Sequence, residues 1–474
     1  MKRLVFGHVF MLWSLLSWAS EGQRLPVDAG ISLTAENCLE ASIKIEHTLN
    51  ALTSSDYLYL FSENNFETLS NELWGLKLSL HHKMRSLFTE NAYSVECARA
   101  LRGAFHAIRQ SEDIVEESSL RRGASGSTPS SAFEFGNRHV HRSSDFGDFN
   151  LQTDLKSGDI LLTRGNAFTS AAIASLGEED TQFSHMSLVY RDENEKIWTI
   201  EAHIEVGSFV RPLEDHIKDS NFRTMILRFD DPQIAAKAAA YAFRTVKYAS
   251  ETKGNIPYDF GFDMNESENL FCSEVISWSF QKVSDEKVQI PFIRNRVQLR
   301  KSTFVHDLGI STQESFIPAD IEVDPRFKIV AEWRDANRIN DSLEKDAVLH
   351  GMYAWVDDHN YRMINASSKK SKFYRNIVWV MRRTPLLKTY VDKKLPLNMS
   401  RKLIGYFGVL ESIGELLQKV LKEADEKAIA DRSLPLLPSE KFKVLEEFRL
   451  EDLKKKRPEL HRMFRSQKKL KYFL

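Results

Sequence analysis

Between residues 33 and 117, apolar positions recur every three or four residues, the period of helices that bury one face. Thr34 stands where an N-cap is wanted, and Leu39, Ile43, Ile45 and Leu49 follow at near-helical spacing. Two further stretches, near 66–88 and 91–116, carry Leu69, Leu73, Leu76 and Leu80, then Ala98, Leu101, Phe105 and Ile108. Three helices running up, down and up place the starts of the first and last at the same end. Cys38 and Cys97 lie near those two starts, so a helical domain over 24–117 with a Cys38–Cys97 disulfide is expected. Small and polar residues then take over, and 118–150 reads as a flexible linker. His139 and His141 fall inside it and read as solvated, since a tight metal site needs three or four ligands.

From about 151 to 335 the periods of two and of three to four alternate, which predicts a mixed α and β domain. A short apolar strand covers Gly158–Thr163, and a helix follows over Thr169–Leu176. Two strands, Ser184–Tyr190 and Lys196–Ile204, flank the polar stretch Arg191–Glu195, a turn of hairpin length. A symmetric hairpin centred on Glu193 would pair Leu188 with Trp198, Met186 with Ile200 and His185 with Glu201. Met186, Leu188, Trp198 and Ile200 then share an apolar face, while His185, Ser187, Thr199 and Glu201 share the other. From 336 to 474 the pattern is mainly helical. Leu403, Phe407, Leu410, Ile413, Leu417 and Leu421 form one stripe along a helix near 400–429, whose ordinary meaning is core packing.

The first residues change the picture of where the chain resides. Lys2 and Arg3 precede an apolar run from Leu4 to Trp18, and Ser17 and Ala19 are small residues placed for cleavage after Ala19. The reading is a signal peptide over 1–19 and an exported protein, in the periplasm or cell envelope. The other reading of the same run is an uncleaved anchor, although it is short for a span of about 20 residues. Export puts the three cysteines in an oxidising compartment, where pairing of Cys38 with Cys97 leaves Cys272 as a free thiol.

Composition narrows the function more by exclusion. Net charge is −1, so no global field favours nucleic acid. No zinc-type spacing and no glycine-rich phosphate loop occurs, so neither a metal nor another cofactor is expected. Residues 441–474 hold twelve Lys/Arg against five Asp/Glu. That surplus suits a solvated helix face, or peripheral contact with an anionic envelope surface.

The candidate chemistry centres on Cys272. Asn269–Trp278 places this thiol at the start of a predicted helix, with Ser273 and Glu274 in its first turn. The positive end of a helix dipole lowers a thiol pKa, and the free N–H groups there can receive an oxyanion. A nearby imidazole oriented by a carboxylate completes such a site, and directly opposed strand residues have Cβ atoms roughly 4.5–5.5 Å apart, so Glu201 can reach His185. Taken singly, the thiol is equally an inert core cysteine, and the His–Glu pair an ordinary cross-strand contact.

Together these segments resemble the YiiX/YebB group of permuted papain-like, NlpC-type hydrolases. The matching pieces are Gly158-Asp159-Ile160, Ser184-His185, Ile200-Glu201-Ala202, Pro257-Tyr258-Asp259-Phe260, Cys272-Ser273-Glu274, and Asp324-Pro325 with Ala331-Glu332-Trp333. Histidine precedes cysteine, which is the permuted order. The resemblance covers about 155–335. It implies an α+β fold, a papain-like core of antiparallel sheet plus helices, flanked here by N- and C-terminal helical regions. It also implies a triad of Cys272, His185 and Glu201. Tyr258 either supports the oxyanion or substrate, or simply packs. Asp159 and Glu274 are expected at turns and caps, and His203 is a decoy or a supporting group. The helical flanks have three candidate roles: a lid, a docking surface, or a wall of the cleft.

The function expected is hydrolysis of an amide by thiol acyl transfer, with an envelope peptide as substrate. The alternatives are an acyl-lipid hydrolase or acyltransferase of the same fold, and an exported interaction protein with an inactive core.

Overall fold

The structure is a computed structural model, and it describes residues 24–27, 33–62, 65–121, 139–147, 150–177, 181–219, 221–264, 268–297, 310, 312–363 and 398–466. The expected signal segment and most of the expected linker lie outside these residues. The chain divides into two compact units, Met1–Ser127 and Thr128–Leu474.

The first unit consists of helices Cys38–Asn50, Ser54–Leu60, Phe66–Thr89 and Val95–Arg121. Most of their periodic residues supply its core: Ile45, Leu69, Leu73, Leu80, Leu101, Phe105 and Ile108 are buried, whereas Leu39 and Ile43 of the first helix are exposed. The first helix begins at Cys38 rather than beside Thr34; Thr34 instead holds the preceding turn by a reciprocal side-chain exchange with Asn37. Cys38 and Cys97 are disulfide-bonded, with Cα atoms 5.5 Å apart. Lys77 and Glu112 form a fully buried ion pair at 2.6 Å. Such a pair tolerates burial because each charge is matched.

The second unit is built on a seven-stranded antiparallel sheet. Its strands are β1 (His139–Arg142), β2 (Ile160–Gly165), β3 (His185–Arg191), β4 (Ile197–His203), β5 (Gly207–Pro212), β6 (Asn221–Phe229) and β7 (Phe327–Arg334), in the spatial order β1-β7-β6-β2-β3-β4-β5. β1 corrects the reading of a continuous linker over 118–150. It pairs with β7 to form the edge of the sheet, and His141 is buried rather than solvated, while Val140 packs against the core. One sheet face contributes Leu161, Val189, Ile226 and Trp333 to a core closed by Leu151, Leu155, Leu213 and Ile217. On the other face, Tyr190 and Trp198 meet Phe243 of the helix Pro232–Thr252, with ring centroids 4.5 and 5.7 Å apart. That helix buries Ala235, Ala238, Ala239 and Ala242, small residues that let its backbone lie close to the sheet. The helix Cys272–Val283 packs beside it.

The helices Ala336–His359, Arg401–Arg432 and Pro438–Asp452 build a further core around the short helix Phe168–Ala174. Phe168 and Ala171 join Met352, Trp355, Ile413, Leu417 and Leu445 there. Gly414 is required by this contact, since a Cβ would lie 2.7 Å from the Phe168 ring. Part of the basic C-terminal segment turns inward: Lys441 pairs with Asp425, both 1% exposed. Among the described residues, no helix is long and apolar enough to cross a membrane.

Candidate active site

The hairpin of β3 and β4 differs from the expected register by two residues. Leu188 pairs with Ile200 and Tyr190 with Trp198, so the turn is centred on Asn194 rather than Glu193. The cause is local. The Asp192 carboxylate accepts the N–H groups of Asn194 and Lys196 at 2.9 and 3.0 Å, and Glu195 takes a left-handed φ of 63°. An even shift preserves faces. Continuing this register sets His203 opposite His185, with ring centroids 4.8 Å apart and edge-on, and Glu201 opposite Ser187. His185 reaches Glu201 diagonally: its Nε2 lies 2.9 Å from Oε2.

Glu201 is fully buried and is the hub of the site. His203 Nε2 lies 2.9 Å from Oε2 and His216 Nδ1 lies 3.0 Å from Oε1. Arg211 donates through Nε at 2.7 Å and Nη2 at 3.0 Å, and the Thr199 hydroxyl donates at 2.6 Å. Burial alone would raise the carboxyl pKa, but His216, His185 and His203 together hold it well below the usual range. Glu201 is therefore a fixed anion.

His185 begins β3 and keeps 18% of its side chain exposed. Burial dominates its titration and pushes its pKa down to about 4; the bond to Glu201 opposes that, and His203 adds to it. Near neutrality it is an uncharged imidazole, with Nε2–H donating to Glu201 and Nδ1 left as the basic nitrogen.

Cys272 is the first residue of its helix, after Phe271 as N-cap, whose N–H is accepted by the Glu274 carboxylate at 3.4 Å. The expected capping role of Glu274 is thus its observed contact. Asp159 likewise accepts the Lys156 N–H at 2.8 Å and pairs with Arg228 at 2.7 Å. The thiol departs from expectation in two ways. It is 3% exposed rather than openly accessible. Its pKa is raised, not lowered, because burial outweighs the hydrogen bonds from the Met186 and Ser273 backbone. The N-terminal dipole is present, but desolvation of the thiolate is the larger effect.

Cys272 and His185 nevertheless line one cleft of about 850 Å³, counting its open mouth. It lies where β2 ends, β3 begins, β4 ends and β6 begins, so four strand ends converge on it. Tyr258 lines it as well, with its hydroxyl pKa raised well above normal by burial and then by Cys272. Its segment is pinned by three bonds: Ser208 N–H to Ile256 O at 2.8 Å, Leu270 N–H to Pro257 O at 3.0 Å, and Asn398 Nδ2 to Tyr258 O at 2.7 Å.

Arg211, His216 and Asp219 escaped sequence reasoning. Arg211 projects from β5, opposite Thr199, and also pairs with Asp219. Its signal was an arginine at an alternating position of a strand too short to stand out. Two donor sets, His185 with Glu201 and His203, and Glu201 with His216 and Asp219, gather ligand atoms within 4.8 Å of one another. Both share Glu201, whose two oxygens already face the Arg211 guanidinium. A cation there would sit against a fixed positive charge, so these donors suit an ion-paired carboxylate better than a metal.

No curated protein matches this chain. Residues 154–331 of the 474 match the family described as permuted papain-like amidase enzyme, YaeF/YiiX, C92 family, and that span contains Cys272, His185, Glu201, Tyr258, Arg211 and His216. Histidine precedes cysteine along the chain and an antiparallel sheet meets a helix at the cleft, an arrangement consistent with a permuted papain-like domain over the matched residues 154–331.

Proposed function

We propose that the domain hydrolyses an amide by acyl transfer through Cys272. The observation that supports this most is a single cleft lined by a free thiol at a helix start and by an imidazole whose far nitrogen is tied to a buried carboxylate. With Cys272 raised and His185 lowered, the resting pair is neutral thiol and neutral imidazole. Deprotonation then accompanies attack. Nδ1 of His185 takes the thiol proton as Sγ bonds to the carbonyl carbon, and Glu201 stabilises the imidazolium. The N–H groups of the first helical turn, which have no intrahelical acceptor, receive the oxyanion. The C–N bond breaks as His185 returns the proton to the leaving amine. Water, deprotonated by His185, cleaves the thioester and regenerates the thiol. Tyr258 bounds the acyl site.

Export to the periplasm or envelope is supported by the basic-then-apolar start of the chain and by the Cys38–Cys97 bridge, which persists in oxidising compartments. An envelope peptide is the substrate this location suggests. Four consecutive exposed cations, Lys454, Lys455, Lys456 and Arg457, support peripheral contact with an anionic surface. A purely binding role is disfavoured by the presence of a thiol and an imidazole bonded to a buried carboxylate at one cleft, a combination that binding alone does not require.

The test is labelling of the full chain by a thiol-directed activity probe, with product analysis on stem peptides and phospholipids. Labelling and turnover should vanish in Cys272→Ser and fall at least a hundredfold in His185→Ala, in keeping with the usual worth of a general base. Turnover persisting in Cys272→Ser defeats the proposal.

A further inference from the structure

Glu201 is not the whole of the negative charge that His185 meets. Arg211 donates to both Glu201 oxygens, from Nε at 2.7 Å and from Nη2 at 3.0 Å, and Nη2 shares Oε2 with His185 Nε2, which lies 2.9 Å from it. Burial opposes a charged guanidinium, yet its bonds to Asp219 and Glu201 hold its pKa above the usual arginine value. A carboxylate neutralised in this way would do little for an imidazolium. The second carboxylate is Asp219, which accepts from Arg211 Nη1 at 3.1 Å and also from Nη2. It stands just past the short helix Leu213–Ile217, where its N–H donates to the His216 carbonyl at 3.1 Å. Its side chain is 36% exposed and lines the cleft. Glu201 and Asp219 therefore set two negative charges against the one positive charge of Arg211. Arg211 is also not the sole support of Glu201, since Thr199, His185, His203 and His216 all bond to the same carboxylate.

We propose that Asp219 is a positioning residue for the reaction: it cancels the charge of Arg211, so that Glu201 acts on the His185 ring as an uncompensated anion. The inference rests on the thiol-amidase reading and adds a residue to it. Arg211 fixes the plane of the Glu201 carboxylate by a two-point contact but mutes its field. Asp219 restores that field from the other edge of the guanidinium. The species that gains is the imidazolium formed as His185 takes the thiol proton. The other titratable groups that touch Glu201 or line the cleft are His203, Glu205, His216, Tyr258 and Cys272. Removing a unit charge roughly 8 Å from a ring, at an effective permittivity of about 20–40, moves its titration midpoint by about one pH unit. Without Asp219 the ring should be harder to protonate and weaker as a base. Without Arg211 it should be easier to protonate, and without both it should lie close to the wild type.

Two measurements on the full chain separate this inference from the mechanism beneath it. The first needs no turnover: NMR titration of carbon-labelled histidine in the Cys272→Ser protein, with the His185 signal identified by its loss in His185→Gln. The ring should titrate near 4. Asp219→Asn should lower that midpoint by about one pH unit, and Arg211→Gln should raise it by a similar amount. The double variant should return it to the starting value, and Asp219→Glu, which keeps the charge, should match the parent. Opposite shifts that cancel are the mark of charge, since structural damage would move both variants alike. A midpoint unmoved by Asp219→Asn, or moved the same way by both substitutions, overturns the inference. The second measurement is hydrolysis of one amide substrate by the chain that keeps Cys272. At neutral pH kcat should fall about three- to tenfold in Asp219→Asn, the share of one pH unit that a partly formed imidazolium feels, and recover in Asp219→Glu. Cys272-dependent turnover with kcat unchanged in Asp219→Asn overturns the role of Asp219 and leaves the amidase standing. The NMR pattern without Cys272-dependent turnover of any amide defeats the thiol mechanism, and the role given to Asp219 falls with it.

Discussion

Replacing Glu201 with glutamine removes one charge and almost no volume, so it isolates what the buried anion does. The two carboxylate oxygens accept from Thr199, Arg211, His185 and His203 at 2.6–3.0 Å, with His216 also at 3.0 Å. A glutamine presents one acceptor and one donor. Whichever way it turns, its NH2 faces donors: Thr199 and Arg211 Nε on one side, or His185, His203 and Arg211 Nη2 on the other. Breaking a buried ion pair from one side costs about 3–5 kcal/mol, and here Arg211 keeps Asp219, so the lower end applies. A loss of about 3 kcal/mol lowers Tm by roughly 6–12 °C at about 2–4 °C per kcal/mol for a domain of this size class. The catalytic loss is separate. Without the carboxylate neither the tautomer nor the imidazolium of His185 is favoured, and kcat should fall about 10²–10⁴-fold, in line with removal of a triad orienting group. His185 also loses the partner that raises its pKa, so the acid limb of kcat/KM, set by a group near 4, should move lower still. Differential scanning fluorimetry and pH profiles on one amide substrate read all three effects. Wild-type Tm together with wild-type kcat would refute the role given to this hub.

Acid should unfold the helical unit early. Burial drives the His81 pKa from 6.5 to about 3, so the fold favours the neutral ring; its stabilisation is complete above pH 6.5 and is lost as pH falls from there towards 3, about 5 kcal/mol over the window. His81→Leu should flatten that acid limb in chemical denaturation, and an unchanged limb would assign the acid sensitivity elsewhere. Gly207 has φ +78°, and a Cβ there would lie 2.1 Å from the Ile256 carbonyl oxygen, so Gly207→Ala should displace the Ile256–Tyr258 segment and cost about 1–2 kcal/mol from the left-handed backbone alone. Denaturant titration checks this, and a variant as stable as the parent contradicts the close approach. Iodoacetamide labelling of Cys272 should rise only above the ordinary thiol range, as its raised pKa requires. Saturated labelling at pH 6 would instead mean a preformed thiolate–imidazolium pair.

Much of the site was legible because strand alternation is insensitive to a register shift of an even number of residues. His185 and Glu201 differ by an even count across the hairpin, so a shift of two residues left them on one face and changed only which residue stands directly opposite. The helical period of 33–117 and the pairing of Cys38 with Cys97 were similarly local, since amphipathic helices joined by short turns have few arrangements. Cys272 at a helix start followed from the residues of a single turn.

Other features depended on segments distant in the chain, and no local pattern encodes them. His139–Arg142 became a strand because β7 would otherwise present an unpaired edge, a property of the assembled sheet. Arg211 and His216 reach Glu201 only once β5 and the short helix Leu213–Ile217 after it close over β4. The direction of the thiol shift was decided by burial, which is set by everything packed around Cys272 and reverses what its helix position alone predicts. The stripe at Leu403, Phe407 and Leu410 read as core, and sequence period cannot distinguish a side chain facing another helix from one facing a cavity. The sequence by itself determined which residues share a face or begin a helix; the tertiary structure decided what those faces meet, because desolvation and convergence are sums over the whole fold.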